Sequence, residues 1–205
     1  MKKEKQIINT DIALITIGIL LLIVIHFLRD DGSFISNSLS NYAATEYSNI
    51  ANLAFYIFSL ANILIGILFI KFNNIKIRIS SFLFFLAGFF IIMLTIFHSD
   101  GNGIIESFVE YIHVISASLL FLTYPIIIIL NGLQFKSKRL RYYSIFTFFT
   151  TIFLTIFGIF FTLRNLKTGL LETTWFGLFE KFGVFIIILW VIVLLLSSHN
   201  LKQDD

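Results

Sequence analysis

The sequence predicts an all-α integral membrane protein: a six-transmembrane-helix bundle with both termini in the cytoplasm (N-in/C-in). Three observations carry this. Hydrophobic residues make up 58% of the 205 residues and charged residues only 13%, against about 45–50% and about 25% in soluble domains; mean hydropathy is +0.92. Six stretches are each long enough to cross a bilayer core, which takes about 20 apolar residues in helix. The basic residues alternate from loop to loop as the positive-inside rule requires. A soluble globule of this size has too little interior for so much apolar surface, and a disordered chain is poor in it. The absence of cysteine excludes disulfides, thiolate metal sites and cysteine nucleophiles. The net charge of +3 is spread over loops rather than gathered on one soluble face, so the expected partners are membrane lipids and not nucleic acid.

The whole chain, 1–205, reads as one membrane domain. The first span, 11–28, follows a basic start, Met1–Lys5. A secretory signal is the competing reading, but the apolar run is long for one and no small-residue cleavage site follows it. A long external loop, 29–48, comes next. Its Ile35, Leu39 and Tyr42 stand at steps of +4 and +3, which suits a short interfacial helix and a solvated loop equally. The second span, 50–70, carries Asn52, Tyr56, Ser59, Asn62 and Gly66 on one helical face, with Asn49 just before it. The third, 79–97, offers Ser81, Gly88 and Thr95. The fourth, 108–130, presents Glu110, His113 and Ser116 on one face near its outer end; Pro125 is expected to kink its inner half and free a carbonyl. The fifth, 144–163, has Thr147, Thr151, Thr155, Gly158 and Thr162 on one face. The small and hydroxyl stripes of spans three and five read as helix–helix packing. The sixth, 176–197, begins with Glu180 and Lys181 in its first turns. No span alternates strictly, so none is a strand.

Orientation comes from lysine and arginine. Lys2, Lys3, Lys5, Lys71, Lys76, Arg78, Lys136, Lys138, Arg139, Arg141 and Lys202 fall on one side; only Arg29, Arg164, Lys167 and Lys181 fall on the other. The first side is therefore cytoplasmic, and the plasma membrane is the expected location.

No charged residue stands in the middle of any predicted span, so the ionisable groups near the outer ends draw attention. His26, His98, Asp100, Glu110, His113, Glu180 and Lys181 should share one depth and line a polar pocket in the outer leaflet. His113, Asp100 and Glu180 are the candidate catalytic centre, with His113 and Asp100 bonded to each other. His26, Ser40, Tyr42, Asn52, Glu110 and Lys181 are candidate pocket residues. His26, Asp100 and His113 are also enough protein ligands for a zinc with an open position, and two of the histidines could serve a haem, though no second pair lies on the inner side. Zinc suits the residues better than haem, and nothing in the sequence requires either.

These residues resemble the prokaryotic six-helix membrane family known as domain of unknown function 998. The likeness rests on His26, on Ser36-Asn37-Ser38-Leu39-Ser40-Asn41-Tyr42-Ala43, on Phe97-His98-Ser99-Asp100, on His113 and on Gly177-Leu178-Phe179-Glu180-Lys181. Asn41 stands where the family usually has an acid, and His98 where it usually has a proline. The resemblance implies the fold and topology, and singles out His26, Ser40, Tyr42, Asp100, His113 and Glu180; it implies no activity. The leading expectation is a protein that binds or processes a lipid or small amphiphile. A metal-dependent membrane hydrolase, a haem-binding redox protein and a non-catalytic accessory subunit are the alternatives, so enzyme or not stays open.

Overall fold

The computed structural model describes residues 2–28, 38–98, 107–168 and 176–198. Six helices follow one another: α1 (Lys2–Leu28), α2 (Ser48–Phe69), α3 (Ile75–Ile96), α4 (Phe108–Gly132), α5 (Lys138–Thr168) and α6 (Phe176–Leu196). All six contain a stretch long and apolar enough to cross a membrane. Each helix packs on the next in sequence, and α6 returns to α1, so the bundle closes into a ring. The turns after α2 and α4 are short, which makes their flanking helices antiparallel neighbours.

The helices overrun their apolar windows. α1 begins at Lys2 rather than at 11, and α5 at Lys138 rather than at 144. The apolar window marks only what must leave water, whereas Lys, Arg, Glu and Gln are good helix formers and carry the helix onward. Two starts are capped by side chains. Asn74 Oδ1 accepts the amides of Lys76 and Ile77 at the start of α3. Ser107 and Glu110 form a reciprocal capping box at the start of α4.

In a bilayer, apolar burial between helices gains little, because lipid tails are as apolar as leucine; close backbone approach and hydrogen bonds do the holding. The α2–α3 interface shows how. Ser59 Oγ donates to the Gly88 carbonyl at 2.9 Å, and Ser81 Oγ donates to the Gly66 carbonyl at 2.6 Å. Each helix thus offers a serine to a glycine carbonyl of the other, and in each helix the pair is seven residues apart. Both glycines must stay glycine for this approach: a Cβ on Gly88 would stand 3.1 Å from the Ser59 carbonyl, and one on Gly66 3.1 Å from the Ser81 carbonyl.

Similar bonds tie the ends of the bundle near the lysines and arginines. Asn74 Nδ2 donates to Gln134 Oε1, Ser80 Oγ to Asn131 Oδ1, and Trp190 Nε1 to Ser144 Oγ. They join the α2–α3 turn, α3, α4, α5 and α6 around a core of Phe69, Phe84, Phe135, Trp190 and Leu194. Outside, Phe82, Phe89, Phe146, Phe149, Phe153 and Phe185 are exposed, as a face for lipid requires.

Pro125 lies within α4, and the helix continues past it to Gly132. Proline has no amide hydrogen, so the carbonyl four residues earlier, Phe121, loses its helical donor. Thr155 of α5 supplies one: its Oγ1 donates to the Phe121 carbonyl at 3.3 Å. The fifth-span threonine stripe therefore includes the group that satisfies the carbonyl freed in the fourth.

The segment before α2 differs from both expectations held for it. Ser40–Ala44 forms a short 3-10 turn. Leu39, Tyr42 and Ala43 turn inward and pack with Ile25 of α1 and Ala51 of α2. The segment plugs one end of the bundle; Ile35 lies outside the described residues.

Candidate functional site

A cavity of about 120 Å³ lies inside the bundle. Its wall draws on Ile15 and Leu22 of α1, on Phe55, Phe58, Ala61, Asn62 and Ile65 of α2, and on Ile91 and Leu94 of α3. From α4 come His113, Ala117, Leu120, Phe121 and Tyr124; from α6, Glu180, Val184, Ile187, Ile188 and Val191. Leu39 and Ser40 of the plugging segment complete it. The wall residues extend over several helical turns. His113 and Tyr124 are eleven residues apart on α4, about 16 Å at 1.5 Å per residue.

Polar groups sit at two levels. Toward the far end, Tyr124 Oη donates to Asn62 Oδ1 at 3.0 Å, and Asn62 Nδ2 donates to the Phe58 carbonyl at 2.8 Å. That pair satisfies itself. At the end closed by the 3-10 turn stand Ser40, His113 and Glu180, three of the residues that the sequence singles out.

His113 and Glu180 are positioned by the backbone of a neighbouring segment, and Ser40 by a neighbouring serine side chain. α3 ends at Ile96, so the Phe97 carbonyl points beyond the helix and needs a donor. His113, five residues into α4, meets it with Nδ1 at 2.8 Å. A carbonyl only accepts, so Nδ1 carries the hydrogen and, in the neutral ring, Nε2 is the acceptor. Glu180 Oε2 accepts the Leu39 amide at 2.9 Å, which fastens the plugging segment to α6. Ser40 Oγ shares a hydrogen bond of 2.7 Å with Ser38 Oγ.

A second cluster stands at the same end. His26 Nδ1 and Tyr42 Oη are 3.2 Å apart, and Lys181 Nζ lies 5.4 Å from the centre of the Tyr42 ring, a cation–π distance. These three join α1, the 3-10 turn and α6, but they are not part of the cavity wall. Two further candidates sit apart from it. Glu110 Oε2 is engaged by the amide and hydroxyl of Ser107 in the capping box. Asn52, one turn into α2, has a buried Oδ1 with no hydrogen-bond partner. Asp100 lies outside the described residues, and so does the expected bond between it and His113; the bond seen on His113 Nδ1 is to the Phe97 carbonyl. Among the described residues no three of His, Asp and Glu come together as a metal site.

Sequence reasoning passed over one ionisable residue. It set the edge of the first span at Asp11. In the structure α1 starts nine residues earlier, so Asp11 lies well inside the helix, at 0% exposure. Among the described residues, neither of its carboxylate oxygens has a hydrogen-bond partner. The available signal was its helical register: Asp11, Ile15, Gly18, Leu22 and Ile25 form one stripe, and the cavity wall takes Ile15 and Leu22 from it.

The family model described as "Protein of unknown function (DUF998)" matches residues 13–197. No curated protein and no solved structure matches the chain.

Proposed function

Since the chain belongs to this DUF998 family, whose description names no activity, we propose from the cavity itself that it binds a single-chain amphiphile. The polar head would sit at Ser40, His113 and Glu180, and the tail would run between α2, α4 and α6 toward Tyr124. The observation that carries this is the division of the cavity wall: sixteen of its residues are apolar, the Asn62–Tyr124 pair is internally satisfied, and the remaining polar groups are gathered at one end. Small-molecule sites have this character, a mostly apolar wall with a few placed polar groups.

Size narrows the class. A cavity of about 150 Å³ holds one benzene-sized group, so 120 Å³ takes a short stretch of a single chain, the rest of which needs the apolar wall to yield, and not the two acyl chains of a phospholipid. The His113 Nε2 acceptor and the Ser40 hydroxyl suit a head with a hydroxyl or protonated carboxyl. Chemistry on that head would need a group to receive a proton, and His113 is the residue so placed.

The lysines and arginines at the opposite end support cytoplasmic termini by the positive-inside rule. The head would then lie in the outer leaflet of the plasma membrane. The test is native mass spectrometry of the protein purified in mild detergent. A bound amphiphile of one chain, retained by wild type and lost from His113→Ala while that variant still inserts and purifies as folded protein, is the expected result. Equal retention by both would refute a head site at His113; failure of the variant to fold would assign His113 to structure.

A further inference from the structure

We propose that Asp11 is a proton-binding site, its carboxyl carrying a hydrogen in the folded bundle. Asp11 is fully buried, and among the described residues both its oxygens lack any hydrogen-bond donor. An ionised carboxylate so placed would have given up water for nothing, an expense that proteins avoid by pairing the charge or neutralising it.

Among the described residues, pairing is closed off by the surroundings; His199 and Lys202, which follow α6, lie outside them. The helices packed against α1 are α2 and α6. α2 contains no Asp, Glu, Lys, Arg or His, and its one titratable group, Tyr56, stands thirteen residues before Phe69. α6 carries charge only at Glu180 and Lys181, in its first turns. Glu180 lies at the end of the cavity beside Leu39, whereas Asp11 lies beyond Ile15, at the other end. On α1 itself the nearest cation is Lys5, six residues and about 9 Å along the axis; it is exposed. Glu4 lies beside Lys71, at the end of the bundle where α1 begins. A proton is the one cation that needs no further ligands, whereas an alkali or alkaline-earth ion would need several oxygens.

The position gives the proton a consequence. Asp11 precedes Ile15 by one turn on the stripe that enters the cavity, about 6 Å along the axis. Losing the proton would put a bare charge between α1 and its neighbours, directly under the cavity. This inference is independent of what the cavity holds.

Infrared spectroscopy tests it on the full chain in lipid nanodiscs at neutral pH. A protonated carboxyl gives a C=O stretch that ionised carboxylates lack, and it shifts in heavy water. The expected result is one such band that Asp11→Asn removes and that sodium leaves unchanged. Wild type is also treated with a lipid-soluble carbodiimide, which reacts with protonated carboxyls, and the adduct is mapped by peptide mass. No band, a band that survives in Asp11→Asn, or one that sodium abolishes would overturn the proposal. Should Asp11→Asn fail to fold, the wild-type adduct decides: an adduct on Asp11 supports it, and an adduct confined to other carboxyls overturns it.

Discussion

Replacing Ala117 by leucine tests the cavity most sharply. Ala117 lines it on α4, one turn below His113, so its side chain faces the part of the tail nearest the head. Leucine adds three carbons there. If the ligand chain occupies that space, about three of its methylenes are displaced. At about 0.8 kcal/mol per buried CH₂ the loss is about 2.4 kcal/mol, or about 60-fold in Kd. The protein itself should not suffer. Filling a void reverses part of the penalty of about 2–5 kcal/mol that Leu→Ala incurs in a packed core, so resistance to unfolding should hold or rise by about 1–2 kcal/mol. The assay is titration of a long-chain fatty acid into protein in nanodiscs, beside thermal unfolding of the same samples. Unchanged affinity in a stable Ala117→Leu protein would show that the chain lies elsewhere. A protein destabilised by about 1–3 kcal/mol would show that the space is not empty, as overpacking does, and would refute the reasoning at its root.

Further outcomes follow from the packing and the charges. Gly88→Ala places a Cβ 3.1 Å from the Ser59 carbonyl and from Ile63 Cγ1; backbone on one side leaves little room to yield, so a loss of about 1–3 kcal/mol is expected in detergent unfolding. Ser59→Ala removes only the hydroxyl bond and should cost about 0.6 kcal/mol. The double variant should cost less than the sum, because both changes act on one contact. For orientation, cysteines at Glu46 and Lys136 serve well, since both positions are exposed and the chain has no other cysteine. Ser38, though nearby, is buried. Glu46→Cys should react with an impermeant maleimide on intact cells and Lys136→Cys should not; the reverse pattern would invert the topology.

The six helices were legible because membrane crossing is a compositional requirement: about 20 apolar residues are needed whatever the helix touches. Their true ends were not, since Lys3, Glu4 and Lys5 continue a helix without being apolar. The stripes on spans two and three were legible as faces, and Ser59, Gly66, Ser81 and Gly88 indeed lie in one contact. Which serine meets which carbonyl depends on the relative shift of two helices, and sequence periodicity carries no such information. The link from Pro125 through the Phe121 carbonyl to Thr155 was half legible. Proline announces that a carbonyl is freed; only the packed bundle identifies the donor.

The site divides along the same line. His113 and Glu180 stand out in the sequence because ionisable groups near span ends are few, and a shared depth limits their partners; Ser40 stands out only through the family likeness. Depth alone does not separate a residue that serves a ligand from one that serves the fold. Glu110 stands one turn from His113, yet its carboxylate is engaged by a helix cap. For groups away from the polar end of the cavity, the telling quantity is whether a buried polar group finds its partner inside the protein. Asn62, Tyr124, Ser80, Asn131 and Trp190 all do, and they hold the helices together. Asp11 does not. A sequence lists polar residues but not their bonds, so Asp11 read as the border of a span. Among the described residues it is a carboxyl group without a hydrogen-bond partner, beneath the cavity. A bilayer protein retains such a group at a cost in stability, and that cost is the argument for looking for its use.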